Sequence, residues 1–220
     1  MKVLAHRGWW REPAEKNTLA ALARAFDAGF GVETDVRDRA GTLVVSHDPP
    51  TGGEPTLAAF LDLLAGRDLP LALNVKADGL AGPLRAALAA ARVRDAFVFD
   101  MSVPETMPYF AAGLPVYARL SEYEPESALL DRSPGVWLDA FHGPWWPPAL
   151  LDALLARGKR VCVVSPELHG RPHDDLWRAL EPRAAHPGLA LCTDRPELAR
   201  ATFGGLQPSG PGDPGVPSLR

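Results

Sequence analysis

The stretch Gly31-Val32-Glu33-Thr34-Asp35-Val36 predicts a buried β-strand that carries two carboxylates. Upstream, Val3-Leu4-Ala5 predicts a strand that ends at His6, and the amphipathic stretch at 18–28 predicts a helix between the two strands. A strand, a helix and a second strand in this order indicate a parallel pair with a crossover helix. Downstream, a tight turn at 39–42 is expected to fold the second strand back on an arm at 43–46.

The same alternation of strands and helices continues almost to the end of the 220-residue chain. Eight strands are predicted, at 3–5, 31–36, 71–75, 96–99, 116–120, 135–139, 160–164 and 190–193. Eight helices are predicted, at 18–28, 56–64, 80–91, 104–112, 124–131, 147–156, 174–180 and 196–203. Eight β/α units close into a barrel, so the expected fold class is α/β, a (β/α)8 TIM barrel with a single domain over 1–204.

Residues outside this pattern predict little further structure. The segment 205–220 is rich in Gly, Pro and Ser and is expected to be a disordered tail. Cys162 and Cys192 each lie inside an apolar run, which predicts two buried free thiols rather than a disulfide.

Composition narrows the class of partner. The formal net charge of -4 argues against a general nucleic-acid-binding protein, which normally carries a basic stripe. The chain runs from Met1 directly into the first strand without the pattern of a signal peptide, and no apolar run reaches the length of a membrane span. We therefore expect a cytoplasmic protein with no stable membrane insertion.

Polar side chains are predicted at the carboxyl ends of the strands, where barrels of this kind build their active sites. A barrel with only a structural role does not need them. They are His6 and Arg7, Glu33 and Asp35, His47 and Asp48, Asn74 and Lys76, Asp100, Arg119 and Glu122, Asp139 and His142, Glu167 and His169, and Asp194 and Arg195.

The acidic pair on the second predicted strand suggests a metal site. Glu33 and Asp35 are two residues apart, so their side chains share one face of the strand and Thr34 lies on the other. A hard divalent cation such as Mg²⁺ or Ca²⁺, which prefers oxygen ligands, would relieve the repulsion between them. The alternative is a pair of solvated surface acids.

Four motifs resemble the signature of the glycerophosphodiester phosphodiesterase family: His6-Arg7-Gly8, Asn17-Thr18, Glu33-Thr34-Asp35 and Ser46-His47-Asp48. The specific motifs lie in the first third of the chain, with a weaker echo in Thr193-Asp194-Arg195-Pro196. The resemblance implies a metal-assisted phosphodiesterase that releases an alcohol and a phosphomonoester from a small-molecule diester.

The resemblance also implies roles for individual residues. His6 and His47 would act as general base and general acid, since their pKa values lie near neutral pH. Arg7 and Lys76 would hold the non-bridging phosphate oxygens. An ordinary structural role is the alternative for each: a hydrogen bond for the histidines, a salt bridge for the two cations.

Two departures from the family pattern bear on the substrate. Asn74 stands where the family normally has a third metal-binding acid; its amide oxygen can still bind Mg²⁺ or Ca²⁺ but adds no charge. Asp100, Asp139 and Glu167 are the candidates to replace that acid. The segment after His47 is short, which predicts a more open pocket or one with walls from other loops.

The pocket walls are predicted to come from aromatic and polar residues of the loops. Trp9 and Trp10, with Trp145 and Trp146, could stack on a substrate or pack over the barrel rim. Asp100, Arg119, Asp139, Glu167 and His169 are candidate pocket residues, although Glu167 and His169 could instead hold a rim loop in place. The later motifs that contain these residues lie outside the family pattern and suggest a divergent branch with a different diester substrate.

Two other functions fit the same residues. The site could stop at a cyclic phosphate, as in the related sphingomyelinase D-like lyases. The barrel could also have lost catalysis and only bind a phosphorylated ligand, an alternative that the change to Asn74 motivates.

Overall fold

Parallel strands arranged as a barrel form the centre of the computed structural model, which describes residues 1–204. The strands are β1 (Lys2–His6), β2 (Gly31–Arg39), β3 (Thr42–Val45), β4 (Leu71–Val75), β5 (Ala96–Phe99), β6 (Tyr117–Leu120), β7 (Gly135–Leu138), β8 (Arg160–Val164) and β9 (Leu189–Thr193). Their order is β5-β4-β2-β1-β9-β8-β7-β6, and β3 is the arm that pairs antiparallel with β2. The predicted TIM-barrel class is confirmed.

The barrel closes only loosely between β5 and β6, the two strands at the ends of this order. β5 and β6 meet at one parallel bridge, Val98 with Val116, and the backbone N–H of Val98 donates to the carbonyl of Pro115 at 2.9 Å. Every other neighbouring pair of wall strands is joined by at least three residue pairs in register. We call this loose junction the β5/β6 seam.

Seven α-helices lie within 1–204: α1 (Leu19–Asp27), α2 (Leu57–Leu63), α3 (Ala81–Ala90), α4 (Val103–Ala111), α5 (Pro148–Ala156), α6 (Asp174–Leu180) and α7 (Pro196–Phe203). Side-chain oxygens cap three of them, because Thr18, Thr56 and Ser102 each accept a hydrogen bond from a backbone N–H of the first turn. Among the described residues, no helix is both long and apolar enough to cross a bilayer.

The predicted helix at 124–131 is wrong, since this segment of the β6–β7 connection forms turns. Ser121 and Glu124 exchange backbone hydrogen bonds, and the Ser127 side chain accepts from the N–H of Leu129. These short-range bonds satisfy the backbone in place of a helical ladder. Pro125 and a run of adjacent rather than helically spaced apolar residues favour the same outcome.

An apolar layer fills the lower part of the barrel interior. It contains Leu4, Ala72, Phe97, Phe99, Tyr117, Trp137, Cys162, Val164 and Cys192, and Phe97 stacks on Tyr117 with ring centroids 3.7 Å apart. Both cysteines are buried and free, as predicted. Since side chains two residues apart share a strand face, the inward positions next along the strands toward the mouth include His6, Asn74, Arg119, Asp139 and Asp194.

Gly135 is the position where this layer tolerates no side chain. A Cβ placed there would come 2.7 Å from the carbonyl oxygen of Arg160 and would overlap the ring of Tyr117. We expect Gly135→Ala to lower the free energy of unfolding by about 1–3 kcal/mol, as overpacked cores do. Urea unfolding measures this change.

Gly143→Ala is the matched control, because its Cβ would meet no atom within 4 Å. Equal unfolding midpoints for the two variants would contradict this account of the packing.

Candidate active site

The turn that follows β1 brings the first catalytic candidates to the barrel mouth. Arg7 and Gly8 both have left-handed backbones, with φ of 57° and 90°. Helix α1 packs against this turn so closely that a Cβ on Gly8 would lie 2.8 Å from the carbonyl carbon of Ala21. Only glycine fits there. The backbone N–H of Arg7 donates to the carbonyl of Glu33 at 2.8 Å, which ties the turn to β2.

The two carboxylates of β2 are buried beneath this turn. Glu33 is 2% exposed and Asp35 is fully buried, so the alternative of solvated surface acids is wrong. Asp35 Oδ2 lies 3.0 Å from Arg7 Nε and accepts a hydrogen bond from Asn17 Nδ2 at 2.9 Å. Lys76 Nζ lies 3.7 Å from Asp35 Oδ1. Arg7 and Lys76 therefore meet at one carboxylate.

Glu33 lacks comparable partners. Burial, and then the charge of Asp35, raise the pKa of Glu33 well above its ordinary value, against the opposing charges of Arg7 and Lys76. The local cations therefore do not compensate for the burial of this carboxyl group.

Three buried oxygens at this point have no hydrogen-bond partner: Glu33 Oε2, Asp35 Oδ1 and Asn74 Oδ1. Asp35 of β2 is paired in register with Asn74 of the adjacent strand β4. Unpaired buried oxygens are costly, and a hard cation that keeps several waters would satisfy all three. The donor set fits Mg²⁺ or Ca²⁺, although within 1–204 no group of three or more His, Cys, Asp or Glu side chains is arranged as a metal site.

His6 is oriented by an aspartate from the last strand. Its Nδ1 lies 2.6 Å from Asp194 Oδ1, and its Nε2 lies 3.8 Å from Glu33 Oε2. Burial lowers the pKa of His6, while the hydrogen bond and charge of Asp194 act in the opposite direction. The ring is thus held with Nε2 toward the carboxylates, the arrangement of an oriented base. The sequence analysis placed Asp194 at the carboxyl end of the last strand but assigned it no role.

A second layer of contacts supports Asp194. Thr193 and Ser165 both donate hydrogen bonds to Glu167, and the backbone N–H of Asp194 donates to Glu167 Oε1 at 3.3 Å. Glu167 therefore ties the ends of β8 and β9 together, which is a structural role of the kind left open for it. Asn17 is a further site residue missed from the sequence; its Oδ1 accepts from Thr34 Oγ1 at 2.8 Å, and the Asn-Thr motif was its signal.

His47 reaches the mouth by way of the arm. The backbone N–H of Ser46 donates to the carbonyl of Asp35 at 3.1 Å, so β3 leads back along β2 toward the end of β1. The His47 side chain is 46% exposed, against 14% for His6, and its Nδ1 lies 2.9 Å from Asp48 Oδ1. The two histidines therefore lie on the same rim, one buried and one open to solvent.

The opposite half of the mouth contains another charged group. Arg119 Nη2 donates to Asp100 Oδ2 at 2.5 Å and lies 3.9 Å from Asp139 Oδ2, while His169 Nε2 lies 2.8 Å from Asp139 Oδ1. Burial raises the pKa of Asp100, and the charge of Asp100 in turn raises the pKa of Glu33.

Three of the four tryptophans make packing or hydrogen-bonding contacts at the mouth. Trp9 meets the ring of Phe30 edge-on at 5.8 Å and joins the core. Trp10 Nε1 donates to the carbonyl of His6 at 3.2 Å, and Lys16 lies 4.4 Å above its ring. Trp145 Nε1 donates to the carbonyl of Asp139 at 2.6 Å. These contacts hold the backbone of the mouth.

Comparison with known proteins gives structural matches only. No protein-family model and no curated protein matches the chain. Glycerophosphodiester phosphodiesterase from Agrobacterium tumefaciens is 21% identical, with 93% of this chain and 100% of that chain covered and a TM-score of 0.70. An Oleispira antarctica phosphodiesterase, solved with the product sn-glycerol-3-phosphate, is 18% identical over 93% of this chain and 97% of that one, with a TM-score of 0.65.

A glycerophosphoryl diester phosphodiesterase from Parabacteroides distasonis is 13% identical over 96% of this chain and 88% of that one, with a TM-score of 0.68. Phosphoribosyl anthranilate isomerase from Thermus thermophilus also matches, with 17% identity over 94% of this chain and 98% of that one and a TM-score of 0.52. At these identities the likeness establishes the barrel fold. Because an isomerase shares that fold, function has to be argued from the site.

The burial of Glu33 predicts a pH dependence of stability. With its pKa raised in the folded state, folding is favoured at low pH and loses stability as the pH rises above about 4.5, the ordinary value of a glutamate. In the presence of a chelator, we expect Glu33→Gln to be more stable than the native protein at pH 8 and to match it near pH 4. Urea titrations at both pH values measure this.

Glu126→Gln, at an exposed position, is the control and should leave the pH dependence unchanged. A Glu33→Gln variant that loses stability with rising pH as steeply as the native protein would refute the assignment to Glu33.

Proposed function

We propose that this protein is a metal-assisted phosphodiesterase that hydrolyses a small glycerophosphodiester-like substrate to an alcohol and a phosphomonoester. The observation that carries the proposal is the set of unpaired buried oxygens on Glu33, Asp35 and Asn74, next to two cations and an oriented histidine. The structural likeness to three phosphodiesterases supports it.

Glu33, Asp35 and Asn74 would hold the Mg²⁺ or Ca²⁺ ion. The cation would supply Lewis acidity at a non-bridging phosphoryl oxygen and neutralise the buried acids. Arg7 and Lys76 bind the remaining phosphate oxygens, since both meet Asp35 and still carry free N–H donors. The diester is thereby positioned over the inward face of β2.

His6 accepts the proton of the attacking hydroxyl at Nε2, while Asp194 holds Nδ1 and stabilises the imidazolium that forms. A new P–O bond forms as the ester P–O bond breaks, and His47 donates a proton to the departing alkoxide. The exposure of His47 suits this role, because a leaving alcohol must reach solvent. If the attacking hydroxyl belongs to the substrate, the first product is a cyclic phosphate; if it belongs to water, the monoester forms directly.

The proposed function is tested by histidine-dependent turnover. We expect the native protein to cleave bis(p-nitrophenyl) phosphate or a glycerophosphodiester with Mg²⁺, Ca²⁺ or Mn²⁺, and His6→Ala and His47→Ala each to lower kcat about 10²–10⁴-fold. His186→Ala, at an exposed residue before β9, is the control. Phosphorus NMR separates a monoester product from a cyclic one.

If no diester in this set, glycerophosphocholine included, shows turnover that depends on the two histidines, the enzyme proposal fails. A barrel that only binds a phosphorylated ligand would then be the better account.

The ligand role of Asn74 gives a test that does not depend on turnover. Asn74→Asp restores a third acid beside Glu33 and Asp35, so we expect the Kd for Mg²⁺ or Ca²⁺ to fall by about tenfold, because affinity rises with ligand charge. Asn74→Ala, which removes the oxygen, should raise the Kd. Isothermal titration calorimetry of the two variants against the native protein measures both.

An unchanged Kd in both variants would show that the cation does not contact this side chain and would remove Asn74 from the site.

A further inference from the structure

The barrel mouth opens on one side into a cavity of about 510 Å³ at the β5/β6 seam. Lys76 and Asp100 border it from β4 and β5, and Arg119 borders it from β6. Its outer wall includes Glu124, Ser127 and Leu129, which belong to the segment predicted as a helix and found as turns. The single-bridge seam and the turns at 124–131 thus border an open space at the mouth.

This cavity adjoins the proposed phosphate site. Lys76 belongs to both, because its Nζ lies 3.7 Å from Asp35 Oδ1 while the residue also lines the cavity. A phosphodiester with its phosphate at Asp35 and Lys76 would therefore direct one of its two alcohol groups toward the seam. The volume lies within the range of roughly 300–1,000 Å³ that is usual for small-molecule pockets.

The lining is balanced in charge. Lys76 and Arg119 contribute two positive charges, and Asp100 and Glu124 contribute two negative ones. An anionic group would need excess positive charge, and a quaternary ammonium group would need an open aromatic face. Tyr117 is the single aromatic residue among the described lining residues, and it is 4% exposed and stacked on Phe97. The lining fits a neutral group best.

The cavity lining contains both hydrogen-bond donors and hydrogen-bond acceptors. Arg119 Nε is buried without a partner and is a donor available to a ligand. Asp100 meets Arg119 through Oδ2, so its Oδ1 is the acceptor that a hydroxyl group could reach. Ser127 Oγ accepts from the N–H of Leu129 and can still donate its own proton. Alternating donors and acceptors match hydroxyl groups, each of which donates one hydrogen bond and accepts others.

We propose that the β5/β6 cavity binds a neutral polyol of sugar or cyclitol size, and that this polyol is one alcohol group of the diester. Only the link between the polyol and a diester rests on the proposed phosphodiesterase function. The binding site itself is argued from the residues that line the cavity. Arg119 and Asp100 are its specificity-determining residues. Arg119 donates from Nε to one hydroxyl of the polyol, and Asp100 accepts at Oδ1 from the adjacent one.

Calorimetric binding to the Mg²⁺-loaded full-length protein tests this proposal without turnover. The probes are myo-inositol 1-phosphate, phosphocholine and inorganic phosphate. We expect inositol phosphate to bind at least about tenfold more tightly than either of the others, and Arg119→Met to reduce that ratio by about tenfold. Arg178→Met is the matched control, because Arg178 pairs with the exposed Asp175 on α6 and neither residue lines the cavity.

A second variant guards against a folding defect in Arg119→Met, which leaves two buried aspartates without their cation. Val103 is 57% exposed and lines the cavity edge, so Val103→Trp narrows the cavity without breaking an ion pair. It should also lower the ratio between the affinity for inositol phosphate and the affinity for inorganic phosphate.

Equal affinity for inositol phosphate and inorganic phosphate, or a preference for phosphocholine, overturns the polyol proposal. A polyol preference that both variants reduce supports it even if no diester is turned over, in which case only the phosphodiesterase proposal fails. Histidine-dependent turnover of diesters together with equal binding of the three probes has the converse meaning: the phosphodiesterase proposal stands and the polyol site falls.

Discussion

The burial of two like charges on adjacent inward positions of β2 is the constraint around which the mouth is organised. Glu33 and Asp35 lie at 2% and 0% exposure, and such groups are stable only when paired or when they bind a cation. Arg7, Asn17 and Lys76 all converge on Asp35 and leave Glu33 without a matching partner. Arg7 itself has a left-handed backbone, with φ of 57°, at the turn where its guanidinium meets this carboxylate.

The barrel makes this burial possible because its strands place inward side chains in two successive layers, two residues apart. Inward residues near the amino ends of the strands are apolar, and Phe97, Phe99, Tyr117 and Trp137 stack into a rigid base. The next inward residues are polar. Because the base excludes water from below, charges above it interact more strongly than they would at a surface. The same base accounts for Gly135, where the ring of Tyr117 occupies the space of a side chain.

Much of this arrangement is predictable from the sequence, because strands follow a period of two and the motifs fall at strand ends. The strand positions, the inward pairing of Glu33 with Asp35 and the buried thiols needed only local patterns. The Asp194 contact with His6 was not predictable in that way, since it joins residues 188 apart through the closure of the barrel. The error at 124–131 had a local cause: a serine side chain and a proline outweighed weak helical propensity.

The segment 124–131, where turns replace the predicted helix, also borders the cavity of the proposed substrate site. Helix α4, which connects β5 to β6, borders the cavity through Val103 and Thr106, and the turns at 124–131 border it from the other side. β5 and β6 meet at a single bridge, and the cavity opens there beside Lys76. The two halves of the mouth consequently do different work. In the proposed function, β1, β2 and β4 position the groups that bind the cation and the phosphate, while β5 and β6 border the space for the rest of the substrate. Under the polyol proposal, substitutions at Glu124, Ser127 and Leu129 would change the preference for the alcohol group without touching the carboxylates on β2.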